Sequence, residues 1–327
     1  MKKPSLTLHD VLSAHRLLAG GVRRTPVQEL PSLSPVTGTR VWLKREDLQC
    51  TGSFKERGAR HALLRLTPAQ RARGVVAASA GNHASGLAFH GAALGVDVTV
   101  VMPVNASPLK VARCRSLGAH VVLHGENFDA AEQFARRFAE KQGATYVHPF
   151  DDPRVIAGQG TVALELLEQV PAMDTIVVPV GGGGLLAGVA TVVKALRPAA
   201  RVIAVEPQNA AGFLAACLRG EPGSTTTLPT LADGLAVARV GATAFGHAAP
   251  LVDDVVTVTE DEIAAAIGTL ALDGIVAEGA GATAVAAWLS GKVGAASSVA
   301  LPITGRNIDA ALHQRIAAQV GRFSRAA

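Results

Sequence analysis

The chain has 327 residues, of which 49% are hydrophobic and 17% are charged, so it can bury a sizeable core as two modest domains or one large one. The net charge of +5 is scattered: basic residues form doublets such as Arg23-Arg24, and aromatic residues make up only 4% of the chain. A nucleic-acid-binding protein would need a basic stripe with stacking rings, so we expect no nucleic-acid partner.

The cysteine count and the absence of apolar leader patterns predict a cytoplasmic protein. Cys50, Cys114 and Cys217 form no CxxC pair, and such sparse cysteines are typical of a reducing compartment. Residues 1–7 lack the apolar core of a signal peptide. Residues 175–193 carry no charge, but a proline and four successive glycines inside this stretch argue against a membrane span.

Apolar runs and helical patterns alternate along most of the chain. Residues 6–20 are predicted as a helix with Thr7 as its N-cap. Strands are predicted over residues 41–44, 75–78, 96–101, 119–123, 175–178, 202–205, 255–258 and 298–303. Helices are predicted over 82–94, 107–117, 128–141 and 155–169, between the glycine run and 195, and after 210, 261 and 308. This alternation predicts an α/β fold with parallel sheets and right-handed crossovers.

The order of the elements suggests that one lobe is inserted into another. We predict a large domain over 1–47 and 149–327 and a small domain over 48–148. The turn-rich stretch 149–153, Pro-Phe-Asp-Asp-Pro, is the predicted return crossing between the lobes.

The stretch 51–58, Thr-Gly-Ser-Phe-Lys-Glu-Arg-Gly, carries a lysine directly after a phenylalanine and between two glycines. A lysine amine in an apolar pocket loses its proton more easily and can attack a carbonyl, such as the aldehyde of pyridoxal phosphate. Lys55 is therefore a candidate catalytic residue, and the alternative is a surface lysine at the start of a helix.

A run of four glycines, Gly181, Gly182, Gly183 and Gly184, lies between a predicted strand and a helix that begins near Leu185. Their N–H groups can point at one centre, and the helix start adds roughly half a positive charge, so the run predicts a phosphate site. The run also matches the dinucleotide pattern G-x-G-x-x-G/A, and Glu206 follows the next strand where a ribose-binding acid would lie. An NAD(P)-dependent oxidoreductase is therefore the competing hypothesis for this run.

Two further stretches place polar groups where ligands bind in open α/β sheets. The turn Ser79-Ala80-Gly81-Asn82-His83 offers N–H donors for a carboxylate, together with an amide and an imidazole. Thr304 puts a hydroxyl at the end of the last predicted strand. Each has a structural alternative, in which Asn82 caps a helix and Thr304 belongs to a turn. Together with the Phe54-Lys55 pair, which a dehydrogenase does not need, they favour the pyridoxal-phosphate hypothesis.

Across nearly its whole length the chain resembles the pyridoxal-phosphate-dependent serine/threonine dehydratases, also called threonine ammonia-lyases, of fold type II (the tryptophan-synthase-β-like group). The resemblance rests on seven motifs in their shared order: KREDLQ (44–49), SFKERGA (53–59), SAGNH (79–83), IAGQGT (156–161), GGGGL (181–185), ADG (232–234) and EGAGA (278–282). It implies two open, twisted, mostly parallel sheets flanked by helices, with the active site between the two lobes. It also implies a homodimer or higher homo-oligomer.

The resemblance implies a role for each candidate site residue. Lys55 would carry the cofactor as a Schiff base and Phe54 would pack against its ring. Asn82 would bond the ring hydroxyl and Thr304 would face the pyridine nitrogen. The remaining cofactor-binding positions would be Gly181, Gly182, Gly183, Gly184, Leu185 and Gly234. The turn formed by Ser79, Ala80, Gly81, Asn82 and His83 would receive the substrate carboxylate.

The implied reaction is β-elimination from a small β-hydroxy amino acid, with L-threonine or L-serine as the first expectation, giving a 2-oxo acid and ammonia. The freed Lys55 amine would remove the α-proton, and the β-hydroxyl would leave as water. A hydroxyl partner such as Thr304 need not keep the ring nitrogen protonated, which suits elimination. Bulkier substrates such as phenylserine, hydroxyaspartate or a hydroxyectoine derivative remain open, as does a binding protein that has lost the chemistry.

Three positions depart from related enzymes. Ala80 lies where similar serine racemases carry a second catalytic serine, which argues against a two-base racemase. Gly212 replaces an aspartate that, with Glu206 and the Ala210 carbonyl, would bind a divalent cation, so we predict no metal. Arg306 lies where the dehydratases usually have glycine, and it either faces solvent or reaches a larger or anionic substrate.

Overall fold

The computed structural model describes residues 6–34 and 38–323 of the chain. In these ranges the helices are α1 (Leu8–Leu18), α2 (Lys55–Leu64), α3 (Pro68–Arg73), α4 (Asn82–Leu94), α5 (Pro108–Ser116), α6 (Phe128–Gln142), α7 (Pro153–Gln169), α8 (Gly184–Leu196), α9 (Gly212–Arg219), α10 (Ala242–Ala248), α11 (Glu260–Leu272), α12 (Gly279–Leu289) and α13 (Ala310–Phe323). The strands are β1 (Val27–Glu29), β2 (Arg40–Lys44), β3 (Val75–Ala78), β4 (Val98–Met102), β5 (His120–Leu123), β6 (Thr145–Tyr146), β7 (Thr175–Pro179), β8 (Arg201–Pro207), β9 (Asp254–Val258) and β10 (Ser298–Pro302).

The strands form two mostly parallel sheets, as the alternation of strands and helices predicts. The large sheet has the order β1-β2-β10-β7-β8-β9, and only the β1–β2 pair is antiparallel. The small sheet has the order β5-β4-β3-β6 and is parallel throughout. Because each parallel sheet needs both faces covered, the two sheets require helices on four faces.

Four apolar clusters fill the space between these sheets and the helices. One face of the large sheet packs against α1, α7, α8 and α10, and the other packs against α11 and α12. The small sheet packs against α2, α4 and α5 on one face and against α6 on the other. The fold class predicted from the sequence is therefore confirmed.

Those elements that were predicted differ from the observed ones mainly at their ends. Thr7 caps α1 through a reciprocal pair of hydrogen bonds with Asp10, as its position predicts. The strand predicted over 96–101 begins two residues later, at Val98, and the last helix begins at Ala310 instead of 308. Residues 1–5, which belong to the stretch without a signal-peptide pattern, lie outside the described residues.

The range predicted for the small domain, 48–148, contains all four strands of the small sheet. We propose these boundaries because the chain leaves the large sheet after β2 and rejoins it only at β7. Within the described ranges, the structure has no helix that is both long enough and apolar enough to cross a membrane.

Helix α7 packs closely against two other helices through its glycines. A Cβ at Gly158 would lie 2.7 Å from the Arg57 carbonyl oxygen in α2, and one at Gly160 would lie 2.9 Å from the Gly188 carbonyl oxygen in α8. Helix α2 begins at Lys55 and α8 begins at Gly184. Helix α7 therefore sets the separation of the two helix starts that carry the main candidate site residues.

Candidate active site

Lys55 lies at the start of α2, where the chain also pairs with the segment after β10. The N–H of Phe54 donates to the Thr304 carbonyl at 3.0 Å, and Ser53 forms an isolated antiparallel bridge with Gly305. These contacts bring residues about 250 positions apart in sequence into one site. The Phe54-Lys55 pair and Thr304 are therefore neighbours in the structure.

The Lys55 amine donates a hydrogen bond to the Pro149 carbonyl at 2.9 Å and lies 5.3 Å from the centre of the Phe54 ring. Burial lowers the pKa of this amine from its ordinary 10.5 to about 8, although the nearby Glu278 carboxyl opposes the shift. A larger fraction of the amine is therefore unprotonated near neutral pH than in an ordinary lysine, as a nucleophile or general base requires.

A buried group of opposite charges holds α2 in place behind Lys55. Arg57, which is fully buried, donates to Glu46 at 2.7 Å and to Glu165 of α7 at 2.7 Å. Lys44, at the end of β2, donates to the same Glu165 at 2.7 Å. Two cations thus face two carboxylates, and each charge has the partners that a buried ion needs. The network joins β2, α2 and α7.

The glycine run forms a cup of unpaired N–H groups at the start of α8. Among the described residues, the N–H groups of Gly182, Gly183, Gly184 and Leu185 donate no hydrogen bond. Gly183 has a φ of +90°, a conformation that L side chains rarely adopt. A Cβ at Gly182 would collide with the Phe150 ring, and one at Gly184 would lie 2.6 Å from the Phe150 carbonyl oxygen. The cup suits an anionic group such as a phosphate.

Leu185 and Gly234 take part in this cup through their backbone. Leu185 is the second residue of α8, and its side chain is buried in the apolar core. Its N–H group is therefore the part of the residue that remains for the cup. Gly234 lies next to Leu235, whose Cα would be 3.0 Å from a Cβ at Gly181. A side chain at Gly234 would also approach the Cβ of Ala280 at 3.2 Å.

Asn82, the first residue of α4, is fixed by two side chains, one just before α12 and one after β10. Its Nδ2 donates to Glu278 at 2.7 Å, and its Oδ1 accepts from Asn307 at 2.6 Å. One N–H of the Asn82 amide remains for a ligand. Burial, together with the charge of Asp233, raises the pKa of the Glu278 carboxyl to about 7, so this acid is more easily protonated than an exposed one.

Thr304 is buried, and its hydroxyl donates to the Ala280 carbonyl at 3.3 Å. The contact is long, and an O–H rotor can turn to another acceptor. Because Thr304 neighbours Gly305, which lies against both Glu278 and Asn82, the hydroxyl and the Asn82 amide belong to the same pocket.

The turn after β3 brings the five residues of the predicted carboxylate site to the edge of this pocket. Ser79 and Ala80 are partly buried, and the Gly81 N–H already donates to the Ser79 hydroxyl at 3.3 Å. The His83 side chain is buried, and its Nε2 lies 3.4 Å from the Val147 carbonyl oxygen. Burial lowers the pKa of His83 to about 3, so the imidazole is neutral and points into the interior.

The residues that the sequence interpretation left without a role are Pro149, Phe150, Glu278, Asn307 and His148. The EGAGA motif includes Glu278, and the turn-rich stretch after β6 includes Pro149 and Phe150. Neither pattern indicates which side chain its residues contact. Glu278 and Asn82 are 196 positions apart, and only the fold brings them together.

Glu206 is not placed to bind a ribose, and Arg306 is not placed to bind an anionic substrate. Glu206 is fully buried and accepts from the N–H groups of Phe213 and Leu214 at 2.7 and 2.8 Å, so it is not free to bind a ribose. Nothing therefore supports the alternative of a dinucleotide-dependent oxidoreductase. Within the described residues no three His, Cys, Asp or Glu side chains are grouped to hold a metal. Arg306 is exposed and lies along Gly52.

These residues fit pyridoxal phosphate. The unpaired N–H groups of the glycine cup match its phosphate, the Lys55 amine matches its aldehyde, and the free N–H of Asn82 matches its ring hydroxyl. Thr304 supplies a neutral hydroxyl in the same pocket. Each polar end of the cofactor thus has a group of suitable chemistry.

Comparisons with known proteins agree with this fit. The family model for pyridoxal-phosphate dependent enzymes matches residues 18–305. A Thermotoga maritima protein named L-threonine ammonia-lyase is 46% identical over 312 residues, which are 95% of this chain and 78% of that protein. The processed form of threonine deaminase isoform 2 from Solanum lycopersicum superposes with a TM-score of 0.88 at 36% identity, covering 96% of this chain and 92% of that one. Maize serine racemase gives 0.89 at 33% identity, covering 98% and 100%.

The family match spans most of the chain, and both the lyase relative and the threonine deaminase structure match it over nearly its whole length. The resemblance inferred from the seven motifs is therefore confirmed. The chain belongs to the family of pyridoxal-phosphate-dependent enzymes, takes pyridoxal phosphate as its cofactor, and is an ammonia-lyase of the serine/threonine dehydratase group.

Proposed function

We propose that the enzyme removes water and ammonia from L-threonine, with L-serine as a second substrate, and releases a 2-oxo acid. The observation that carries this proposal is the Lys55 amine, which has a pKa lowered to about 8 and donates to the Pro149 carbonyl, next to the Phe150 that lies against the glycine cup. The substrate of the Thermotoga maritima relative, given in its name, supports threonine as the first choice.

Bound pyridoxal phosphate supplies an aldehyde for the amines and an electron sink for the bond that breaks at Cα. Lys55 would hold the cofactor through its amine, and as a free amine it would accept the α-proton at Nζ. The Pro149 carbonyl holds that amine in place. The N–H groups of the turn 79–83 bind the substrate carboxylate at the start of α4.

Two features of the pocket favour elimination over other chemistry on the same cofactor. Thr304 offers the ring nitrogen a neutral hydroxyl, whereas a carboxylate would keep that nitrogen protonated. Ala80 offers no second base on the opposite side of the substrate, which argues against racemisation. Bulkier β-hydroxy amino acids are the second candidate class. Because Arg306 is exposed, it supplies no anion site inside the pocket for hydroxyaspartate.

A homo-oligomer and a cytoplasmic location, which the resemblance and the cysteine pattern imply, remain predictions. Sedimentation of the purified full chain measures the first. A dimer or larger assembly would agree with the prediction, and a single monomeric species would contradict it.

The substrate proposal is tested by measuring 2-oxo acid production from L- and D-threonine, L- and D-serine, phenylserine and hydroxyaspartate. We expect the highest kcat/KM for L-threonine. Preference for phenylserine or hydroxyaspartate by tenfold or more, roughly 1.4 kcal/mol, would contradict it.

The role of Lys55 is tested with Lys55→Ala, and the exposed Lys141→Ala is the matched control. We expect Lys55→Ala to lose turnover but to retain weak, non-covalent binding of pyridoxal phosphate, because the glycine cup is unchanged. Turnover near the wild-type rate in Lys55→Ala would remove Lys55 from the reaction.

A further inference from the structure

The short segment between β6 and α7 touches both halves of the active site. Its Pro149 carbonyl accepts the hydrogen bond from the Lys55 amine, and within the described residues this carbonyl is the one hydrogen-bond partner of that amine. The Phe150 ring lies against Gly182, and the Phe150 carbonyl lies beside Gly184. The conformation of this segment therefore sets where the amine points relative to the glycine cup.

His148 fixes the conformation of that segment. Its Nδ1 accepts from the N–H groups of Phe150 at 3.3 Å and Asp151 at 2.9 Å. The His148 ring also meets the Phe150 ring edge to face, with 4.5 Å between their centres. An imidazole nitrogen accepts hydrogen bonds only when it carries no proton, so the ring proton of neutral His148 must be on Nε2.

Glu132 of α6 holds the other side of the same ring. Its Oε1 lies 3.4 Å from His148 Nε2 and 2.6 Å from the Arg136 guanidinium. The hydrogen bond from His148, followed by that from Arg136, lowers the pKa of Glu132 to about 2. The carboxylate is therefore charged at working pH and selects the tautomer with the proton on Nε2, in the way a carboxylate orients a catalytic histidine.

We propose that His148, oriented by Glu132, is a positioning residue for Lys55: it shapes the turn whose Pro149 carbonyl aims the free amine of Lys55 at the cofactor and substrate. The proposal rests on the function proposed above, in which Lys55 captures the cofactor and later removes the α-proton. His148 itself touches neither the amine nor the glycine cup through a polar atom, so it acts only through the turn.

The test compares two substitutions of His148 in the full-length enzyme. His148→Phe keeps a ring against Phe150 but removes the acceptor at Nδ1. His148→Asn keeps an acceptor, because an asparagine side chain commonly accepts from the N–H two residues ahead. The matched control is His120→Asn, at an exposed position of β5 in the same sheet.

Two measurements report on the position of the amine. The first is kcat and KM for L-threonine. The second does not involve turnover: pyridoxal phosphate is removed, and its capture by Lys55 is followed through the visible absorbance after mixing. We expect His148→Phe to lower kcat and the capture rate about tenfold to a hundredfold with little change in KM, because small misplacements of a reacting group cost that much. His148→Asn should restore most of both rates.

Glu132→Gln provides a second variant that keeps the shape of the side chain, which matters if His148→Phe fails to fold. Its glutamine can still contact His148 but no longer selects the tautomer by charge, so we expect a smaller loss, about threefold, in capture rate. Unchanged capture and kcat in both His148→Phe and Glu132→Gln would overturn the proposal. Equal losses in His148→Phe and His148→Asn, with matching losses of thermal stability, would also overturn it, since they indicate packing alone.

The capture measurement separates this proposal from the proposed function. An enzyme that captures the cofactor slowly after His148→Phe, yet produces no 2-oxo acid from any β-hydroxy amino acid even as wild type, would support the positioning role and contradict the proposed function. Normal capture in His148→Phe by an enzyme that deaminates L-threonine would contradict only the positioning role.

Discussion

Glu278 places an unusually weak acid next to the Asn82 amide and the Lys55 amine of the active site. Its side chain is 5% exposed, and burial is the main cause that raises the pKa of its carboxyl from an ordinary 4.5 to about 7. The charge of Asp233 contributes to this rise, whereas Asn82 and Lys110 oppose it. The charge of Glu278 also raises the pKa of Lys55, so the two groups influence each other.

Replacing Glu278 by glutamine should change how stability depends on pH. Because the folded-state pKa lies above the unfolded one, the protonated carboxyl favours folding below about pH 4.5, and this contribution is lost as pH rises through about 7. The unfolding free energy of the wild type relative to Glu278→Gln should therefore fall by up to roughly 3 kcal/mol between about pH 5 and pH 8. Urea titration of the cofactor-free enzyme measures it, with the exposed Glu221→Gln as baseline. A difference that rises over this pH range would contradict the assignment.

At the residue scale the sequence indicates those site residues whose chemistry depends on local motifs. Lys55 after Phe54, the four glycines and Thr304 at a strand end can all be chosen from their neighbours in sequence. Glu278 cannot, because its importance comes from Asn82 across the cleft. His83 shows the opposite case: its imidazole looked available in the sequence but is buried against the Val147 carbonyl.

Among the elements, α7 has the greatest influence on the site although it contributes no ligand-facing side chain. Its Gly158 lets the α2 backbone approach, and its Glu165 binds Arg57 of α2 and Lys44 of β2. On its other side, Gly160 lies against Gly188 of α8. Any side chain added at these contacts must push apart backbones that cannot bend locally.

Gly158→Ala should therefore destabilise the protein and disturb the cofactor together. A Cβ at this position would lie 2.7 Å from the Arg57 carbonyl oxygen, and overpacking of this kind costs about 2 kcal/mol. We expect a lower melting temperature and weaker binding of pyridoxal phosphate, measured by thermal unfolding and by titration. Gly246→Ala, in α10 where no atom lies within 4 Å of the new Cβ, is the control; it should leave cofactor binding unchanged and should not lower the melting temperature, because alanine favours a helix more than glycine does. Equal stability of the two variants would contradict this account of α7.

Helices and strands with a clear hydrophobic periodicity could be predicted from the sequence. A helix whose first residues are small because it packs closely against other segments could not. Residues 82–94 were predicted as a helix with the observed bounds of α4. Helix α12 went unpredicted because its start, Gly-Ala-Gly-Ala, lacks a helical pattern. Glycine is needed there because a side chain has no room. A Cβ at Gly279 would collide with the Leu231 carbonyl, and a Cβ at Gly281 would collide with the Gly305 carbonyl. Strand β1 was also missed, because three residues are too few for a periodic signal.

Across the whole molecule, helix α5 of the small sheet binds both the turn before α2 and the segment that follows β10 of the large sheet. Arg113 donates to the Asn307 side chain at 2.7 Å and to the Thr51 carbonyl at 2.7 Å. Asn307 in turn donates to Asn82, so the contact continues to the cofactor pocket. Lys110 pairs with Asp233 at 2.7 Å, but both side chains are exposed, and such pairs contribute little.

Arg113→Ala should loosen this contact between the two sheets. It removes two charge-assisted hydrogen bonds, each worth about 1.5 kcal/mol or more, and leaves the Asn307 amide less fixed. We expect KM for L-threonine to rise roughly tenfold and bound cofactor to dissociate faster, measured by steady-state kinetics and by dilution. Arg115→Ala, on the same helix and exposed, is the control. Unchanged KM and dissociation in Arg113→Ala would show that α5 does not hold the cleft.

Strand β10 is the last strand within the described residues, yet it lies in the middle of the large sheet, between β2 and β7. While the ribosome is still producing residues before Ser298, β2 and β7 each have an unpaired edge, and such edges invite pairing with other chains. The Phe54 N–H also has no Thr304 carbonyl to bind until that point. The large sheet thus closes, and Lys55 reaches its final place, only after β10 has been made, so the growing chain exposes two unpaired sheet edges to aggregation until then.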